Sequence, residues 1–184
     1  MEYDRHRLIE LVKRDALKFG DFTLASGQKS NFYIDCRNVT LSAEGSALVG
    51  AGMLELFGDG GIDAVGGLTM GADPVLSAVL AIAGSTGKHM RGFIVRKEAK
   101  GHGVGKLVEG PISAGDQVAV VEDVTTTGAS ALQAVAAVEA LGAQTVLVAT
   151  VLDRLAGAKQ LFAEKGLRFE ALLTLDDLGI TSTT

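Results

Sequence analysis

The residues best suited to do chemistry fall in one run, Val118-Ala119-Val120-Val121-Glu122-Asp123-Val124-Thr125-Thr126-Thr127-Gly128-Ala129-Ser130. An apolar stretch leads there into two adjacent carboxylates and then into a hydroxyl-rich turn. Thr125, Thr126, Thr127 and Ser130 can donate hydroxyl hydrogens, and Gly128 lets the backbone approach a ligand closely. A helix starting at Ala129 would aim its unpaired N–H groups and positive dipole end at the same spot. That combination suits a phosphate monoester. Acids beside a phosphate repel it unless they engage something else. The neighbouring hydroxyls of a ribose meet that need, donating to Glu122 and Asp123 while the 5′-phosphate fills the turn, so the run reads as a sugar-phosphate holder. The plainer alternative makes the threonines a helix cap and the acids a solvated strand end; two acids directly before the turn weigh against it. Rival phosphate signatures are missing, since the sequence has neither G-x-x-x-x-G-K-[ST] nor a complete G-x-G-x-x-G opening a helix after a strand.

A second constellation is Arg96-Lys97-Glu98-Ala99-Lys100-Gly101-His102-Gly103-Val104-Gly105-Lys106, with four strong bases against one acid, and three glycines. In an acidic chain this is a concentrated anion trap. Its glycines disfavour a stable helix or strand, so segment 96–110 is expected to be a lid, mobile when empty and ordered by ligand. An ordinary solvated basic loop is the alternative, and the phosphate motif downstream disfavours it. His102 gains a role from standing two residues after Lys100, whereas His6 and His89 are read as incidental.

These motifs need a scaffold, and the apolar pattern supplies one. Ile9, Val12, Ala16 and Phe19 recur at spacings of three and four, which predicts the buried stripe of an amphipathic helix in an N-terminal extension. A short extended piece follows from Asn31 to Asp35. Ser42 can then cap a second helix whose Leu48, Ala51 and Leu54 face inward. Ala64 to Gly67 fits a buried strand, and Asp73-Pro74 reads as N-cap and first residue of a helix carrying Val75, Val79 and Ile82. Further strands are expected at Gly92–Val95, Val118–Val121, Val146–Leu152 and Phe169–Leu175. The helices between them run from Ala129 to Leu141, closed by Gly142, and to an end near Gly166. Continuously apolar strands separated by helices predict an α/β fold whose mostly parallel central sheet is covered on both faces. Ligands in such sheets bind beyond the carboxyl ends of the strands.

Composition bounds the rest. With 184 residues and 47% hydrophobic content the chain is read as a single domain, 1–184. Seventeen basic against 22 acidic residues, for a formal charge of −5, leave no global footprint for nucleic acid or an anionic membrane. The lone Cys36 excludes an intramolecular disulfide framework, and the charged opening residues do not resemble a secretory signal, so the expected compartment is cytoplasmic. No stretch approaches the roughly 20 continuous apolar residues of a membrane span.

The Glu122–Ser130 run closely resembles the signature of the type I phosphoribosyltransferases. Within them, Arg96-Lys97-Glu98-Ala99-Lys100-Gly101-His102-Gly103 resembles the catalytic loop R-K-E-x-K-x-H-G of orotate phosphoribosyltransferases. Phe22–Asp35 looks like that family's segment bearing base-contacting residues, and Leu152-Asp153-Arg154 matches its orotate-contacting arginine. The resemblance covers nearly the whole chain. It implies the type I phosphoribosyltransferase fold with a small N-terminal hood of about residues 1–40, and transfer of phosphoribosyl from phosphoribosyl pyrophosphate (PRPP) to orotate. Arg96, Lys97, Lys100 and His102 would bind pyrophosphate, some of them in a neighbouring subunit of a homodimer. Glu122, Asp123, Val124, Thr125, Thr126, Thr127, Gly128, Ala129 and Ser130 would hold the ribose phosphate, and Thr126 and Arg154, with backbone around Tyr33 and Ile34, would hold orotate. Two departures remove a pyrophosphate contact each: Ala25 stands where many members have lysine, and Gly67-Leu68-Thr69-Met70-Gly71 replaces a loop that often carries Tyr-Lys. Lys29 is a candidate substitute for the first, and backbone amides of the second still suit an anion.

Charge development defines the expected mechanism. Mg²⁺ would be held mainly by pyrophosphate and ribose hydroxyls, with Glu122 or Asp123 nearby and no all-protein cage. Lys100 is the expected main electrostatic catalyst, with His102 beside it. Two alternatives stay open: transfer to a purine or another pyrimidine, which the lid motif and Arg154 disfavour, and a regulatory protein that senses PRPP or a nucleotide without turnover.

Overall fold

A computed structural model describes residues 2–23, 29–59, 61–98 and 106–180. Helix α1 (Arg5–Leu11) opens on Asp4, whose carboxylate accepts from the Arg7 N–H at 3.0 Å. One π turn, Val12–Ala16, carries the chain into strand β1 (Leu17–Thr23), which pairs antiparallel with β2 (Lys29–Ile34). The helical stripe expected to reach Phe19 therefore stops at Ala16: Val12 and Ala16 are buried, but Phe19 lies on β1 opposite Phe32 and is 71% exposed. Helical spacing was mistaken for continuity because β1 is exposed along most of its length and carries no alternating apolar pattern of its own. Lys100, His102 and Ala25 lie outside the described residues.

A single turn, α2 (Arg37–Thr40), leads to α3 (Ala43–Phe57), capped as expected by Ser42, whose Oγ accepts from the Gly45 N–H at 3.1 Å. Leu48, Ala51 and Leu54 are buried on it. Strand β3 (Ala64–Leu68) precedes α4 (Ala72–Ser85), whose N-cap is Gly71 and not Asp73. Asp73 instead accepts from the Thr69 hydroxyl at 2.7 Å. Pro74 remains tolerated because every N–H in a helix's first turn lacks an intrahelical partner. The remaining elements are β4 (Arg91–Val95), β5 (Val108–Glu109), β6 (Gln117–Thr125), α5 (Ala129–Glu139), β7 (Gln144–Asp153), α6 (Ala158–Glu164) and β8 (Phe169–Thr174). Strand β6 runs past the expected end at Val121, so both acids sit on the strand itself. The two-residue β5, antiparallel to β4, is too short to leave a sequence pattern.

The main sheet has the order β5-β4-β3-β6-β7-β8 and is parallel except for β5. Helices cover both faces. On one, α1, α3 and α4 bury Leu8, Leu11, Val49, Met53, Val75 and Val79 against Val65, Ala119, Val121 and Val151. On the other, Ala131, Ala134, Val138 and Phe162 of α5 and α6 pack on Phe93, Val118, Val120 and Val148. Among the described residues no helix is long and apolar enough to cross a membrane.

Candidate active site

The connection from β3 leads outward to β4 on one side, while β6 returns on the other side of β3. Chain direction across the sheet thus reverses between β3 and β6, the topological switch point at which such sheets bind ligands. The β3–β6 ladder ends at Gly66↔Val120, although β3 continues to Leu68 and β6 to Thr125. Beyond that last pair lies a cavity of about 450 Å³ lined by Leu68–Ala72 from one strand end and by Glu122, Asp123, Val124 and Ser130 from the other. Glycine at 67 and 71 keeps the approach close: a Cβ on Gly67 would collide with the Val121 carbonyl oxygen, and one on Gly71 with the Asp123 carboxylate.

The two adjacent acids at the end of β6 both line the cavity but differ in burial and partners. Glu122 is 8% exposed; its Oε2 accepts from the buried Thr125 hydroxyl at 2.9 Å. Burial pushes its carboxyl up to about 7, the nearby Asp123 charge adds to the rise, and the Thr125 hydroxyl opposes it. Asp123 is also raised by burial, while hydrogen bonds from backbone N–H groups, including that of Val124 at 2.9 Å, and the Arg37 charge pull it down. The two carboxyls, one buried and one half-buried, line the cavity at the end of a buried strand, where each can accept hydrogen bonds.

The turn after β6 contrasts with the starts of α1 and α3 and resembles that of α6, which also opens on a left-handed glycine without a side-chain cap. Ser42 and Asp4 cap α3 and α1, but α5 begins at Gly128 (φ 86°) with no side-chain cap. Thr126, Thr127, Ala129 and Ser130 are exposed around this start, leaving first-turn N–H groups and hydroxyls to an external acceptor. Gly128 is required there, since its left-handed backbone is accompanied by the Phe162 ring 2.8 Å from where a Cβ would stand.

Not every expected site residue lines the cavity. Tyr33, Ile34, Lys97, Glu122, Asp123, Val124 and Ser130 do; Arg96, Thr125, Thr126, Thr127, Gly128, Ala129 and Arg154 do not. Arg96 pairs with Glu109 at 3.2 Å. Arg154 lies over the Phe32 ring, 5.2 Å from its centroid, and its backbone N–H donates to the Thr125 carbonyl at 2.9 Å, which ties the end of β7 to the turn after β6. Asp153 braces the next residue by accepting from the Leu155 N–H at 2.9 Å. Sequence reasoning gave Asp35 no role of its own beyond its place in the Phe22–Asp35 segment and gave Arg37 none, yet both line the cavity. Opposite charges two residues apart were the available signal, and they look the same in any surface pair.

This architecture, with its switch-point cleft, is the type I phosphoribosyltransferase fold, shared with similar solved structures. No family model matches the chain. A curated orotate phosphoribosyltransferase of Rhodopirellula baltica is 47% identical over 179 residues, covering 94% of this chain and 93% of its own. The crystal structure of Mycobacterium tuberculosis orotate phosphoribosyltransferase superposes with a TM-score of 0.85 at 46% identity, covering 96% of this chain and 99% of that one. A second structure of that protein, in complex with 5-phospho-α-D-ribosyl 1-diphosphate, gives a TM-score of 0.81 at 44% identity with the same coverage. The chain belongs to the orotate phosphoribosyltransferase family.

Proposed function

We propose that the chain transfers the 5-phosphoribosyl group of PRPP to orotate, forming orotidine 5′-monophosphate and pyrophosphate in pyrimidine (UMP) biosynthesis. The observation that carries this reading is the uncapped start of α5 beside a buried and a half-buried carboxyl that line one cleft. A relative named for orotate and another solved with PRPP support the choice of substrates.

Breaking the bond from the anomeric carbon to pyrophosphate builds positive charge on the ribose and negative charge on the leaving group. Glu122 and Asp123 accept the ribose hydroxyls and set negative charge near the first. The N–H groups of α5, with Thr126, Thr127 and Ser130, hold the 5′-phosphate and so fix the sugar against the base. Arg154 offers orotate's carboxylate a planar fork that lysine cannot reproduce, and Thr126 and the backbone at Tyr33 and Ile34 complete the base site. The lid, with Arg96, Lys97, Lys100 and His102, gathers positive charge on the pyrophosphate and on closing excludes water that would hydrolyse the activated sugar.

The donor chemistry fits Mg²⁺, a hard ion that prefers oxygen. Glu122 and Asp123 are oxygen donors at the cavity, and among the described residues no cluster of three or more His, Cys, Asp or Glu is arranged as a cage. Bound chiefly through PRPP with these carboxylates nearby, the ion supplies charge neutralisation to the leaving group. The functional unit is one domain with residues 1–40 as hood and 96–110 as lid, in a cytoplasmic homodimer whose lids are shared between sites.

Loss of orotate absorbance on mixing the purified protein with PRPP and Mg²⁺ tests the reading, with uracil and hypoxanthine as controls. Turnover of orotate alone, lost without metal, is the expected result. Turnover of another base overturns the role of Arg154, and PRPP binding without turnover makes the protein a sensor.

A further inference from the structure

The cavity is short of positive charge for a diphosphate ligand. Among the described residues Asp35, Glu122 and Asp123 line it against only Arg37 and Lys97. The wall formed by Leu68, Thr69, Met70, Gly71 and Ala72 adds no charge, and its one hydroxyl, on Thr69, is already given to Asp73 at 2.7 Å. Lys97 follows β4 on one side of the cleft. Arg37 stands beside the β2 end and is held in a fixed pose: Nε donates to Asp35 Oδ1 and Nη2 to Asp35 Oδ2, each at 2.8 Å. The Arg37 N–H adds a third bond to Oδ1 at 3.1 Å, so the Asp35 carboxylate grips both ends of the same residue. That grip uses one edge of the guanidinium, and Nη1 donates to no described residue. The side chain keeps 42% of its surface exposed. A surface ion pair would be expected to contribute little to stability. An oriented guanidinium with a spare nitrogen in a cavity lined by three acids is instead well suited to a phosphoryl group, to which arginine offers paired donors.

We infer that Arg37 is a further substrate-binding residue that takes the diphosphate end of PRPP, with Asp35 as the positioning residue that aims it. The inference rests on the PRPP-dependent reading above. It makes the cavity two-sided for the leaving group: Arg37 contributes from the hood side and Lys97 from the lid side.

Calorimetric titration of inorganic pyrophosphate with Mg²⁺, and steady-state kinetics varying PRPP and orotate separately, test it in wild type, Arg37→Gln and Arg37→Lys. In Arg37→Gln the pyrophosphate Kd and the KM for PRPP are expected to rise on the order of ten- to a hundredfold, the range of one charge-assisted hydrogen bond. The KM for orotate and the thermal midpoint should stay near wild type. Arg37→Lys, which keeps the charge but not the fork, should fall between the two and supplies the same readouts if Arg37→Gln does not fold. Unchanged pyrophosphate and PRPP binding in a folded variant overturns the role of Arg37, as does an equal loss for PRPP and orotate. A wild-type protein that binds neither pyrophosphate nor PRPP overturns the underlying reading and this inference together.

Discussion

Glu122 carries the most readable consequence at the level of a single residue. Its carboxyl binds a proton more tightly in the folded chain, at about 7, than in the unfolded chain, where the ordinary value is 4.5. Between those values the folded state keeps a proton that the unfolded state has lost, so stability falls as pH rises through the window and the loss is complete above it. Glu122→Gln removes this dependence. In urea unfolding of the ligand-free protein, the variant should match wild type near pH 4 and exceed it at pH 8 by on the order of 3 kcal/mol. Parallel pH curves would show that Glu122 does not titrate this way. Arg154→Lys should raise the KM for orotate on the order of tenfold or more while leaving the Kd of PRPP unchanged, because in the proposed complex the lost fork engages only the base. Lys100→Ala should lower kcat on the order of 10²–10³. At this scale the sequence was legible where residue types alone carried the chemistry, as in the acid pair and the hydroxyl turn. It was not legible for Thr125, whose hydroxyl goes to Glu122, because partner choice depends on which face of β6 each side chain takes.

Among the elements, the contact of the β3–α4 connection with β6 is the most sensitive. Gly71→Ala would drive its methyl into the Asp123 carboxylate, with Cγ only 3.0 Å away. The cheapest relief is rotation of Asp123, so affinity for PRPP should fall more than the thermal midpoint does, a split that calorimetry and a melting curve resolve. Strands β3, β6 and β7 were readable because burial on both faces gives them continuous apolar runs, and β4 and β8 because short apolar stretches stand between helices. The hairpin strand β1 and the two-residue β5 were not. The first is largely exposed, and the second is defined by its pairing with Ile94 and Val95, not by its own composition. The start of α4 was misplaced by two residues because Asp73 resembles a cap yet bonds to Thr69.

For the whole molecule, the proposed homodimer with shared lids is tested by complementation between subunits. Mixed dimers of Lys100→Ala and Asp123→Asn subunits should regain part of the activity that each homodimer lacks if the lid crosses to the neighbouring site. Verified mixed dimers without recovery would assign each lid to its own subunit. The parallel sheet was foreseeable from the alternation of apolar strands and helices. The strand order, and with it the position of the cleft between β3 and β6, was not, since periodicity says which face is buried and nothing about which strand lies beside which.

The bare start of α5 has one more consequence. A helix whose first donors are left for a ligand is completed by that ligand, so in the proposed complex phosphate takes the position that a serine or aspartate fills at α3 and α1. Folding and occupancy are then one equilibrium. Any phosphate ester at a hundred times its dissociation constant should add about 2.7 kcal/mol to the free energy of unfolding. The stability of this protein in a cell would accordingly rise and fall with its supply of substrate, protecting the enzyme from unfolding when there is work for it.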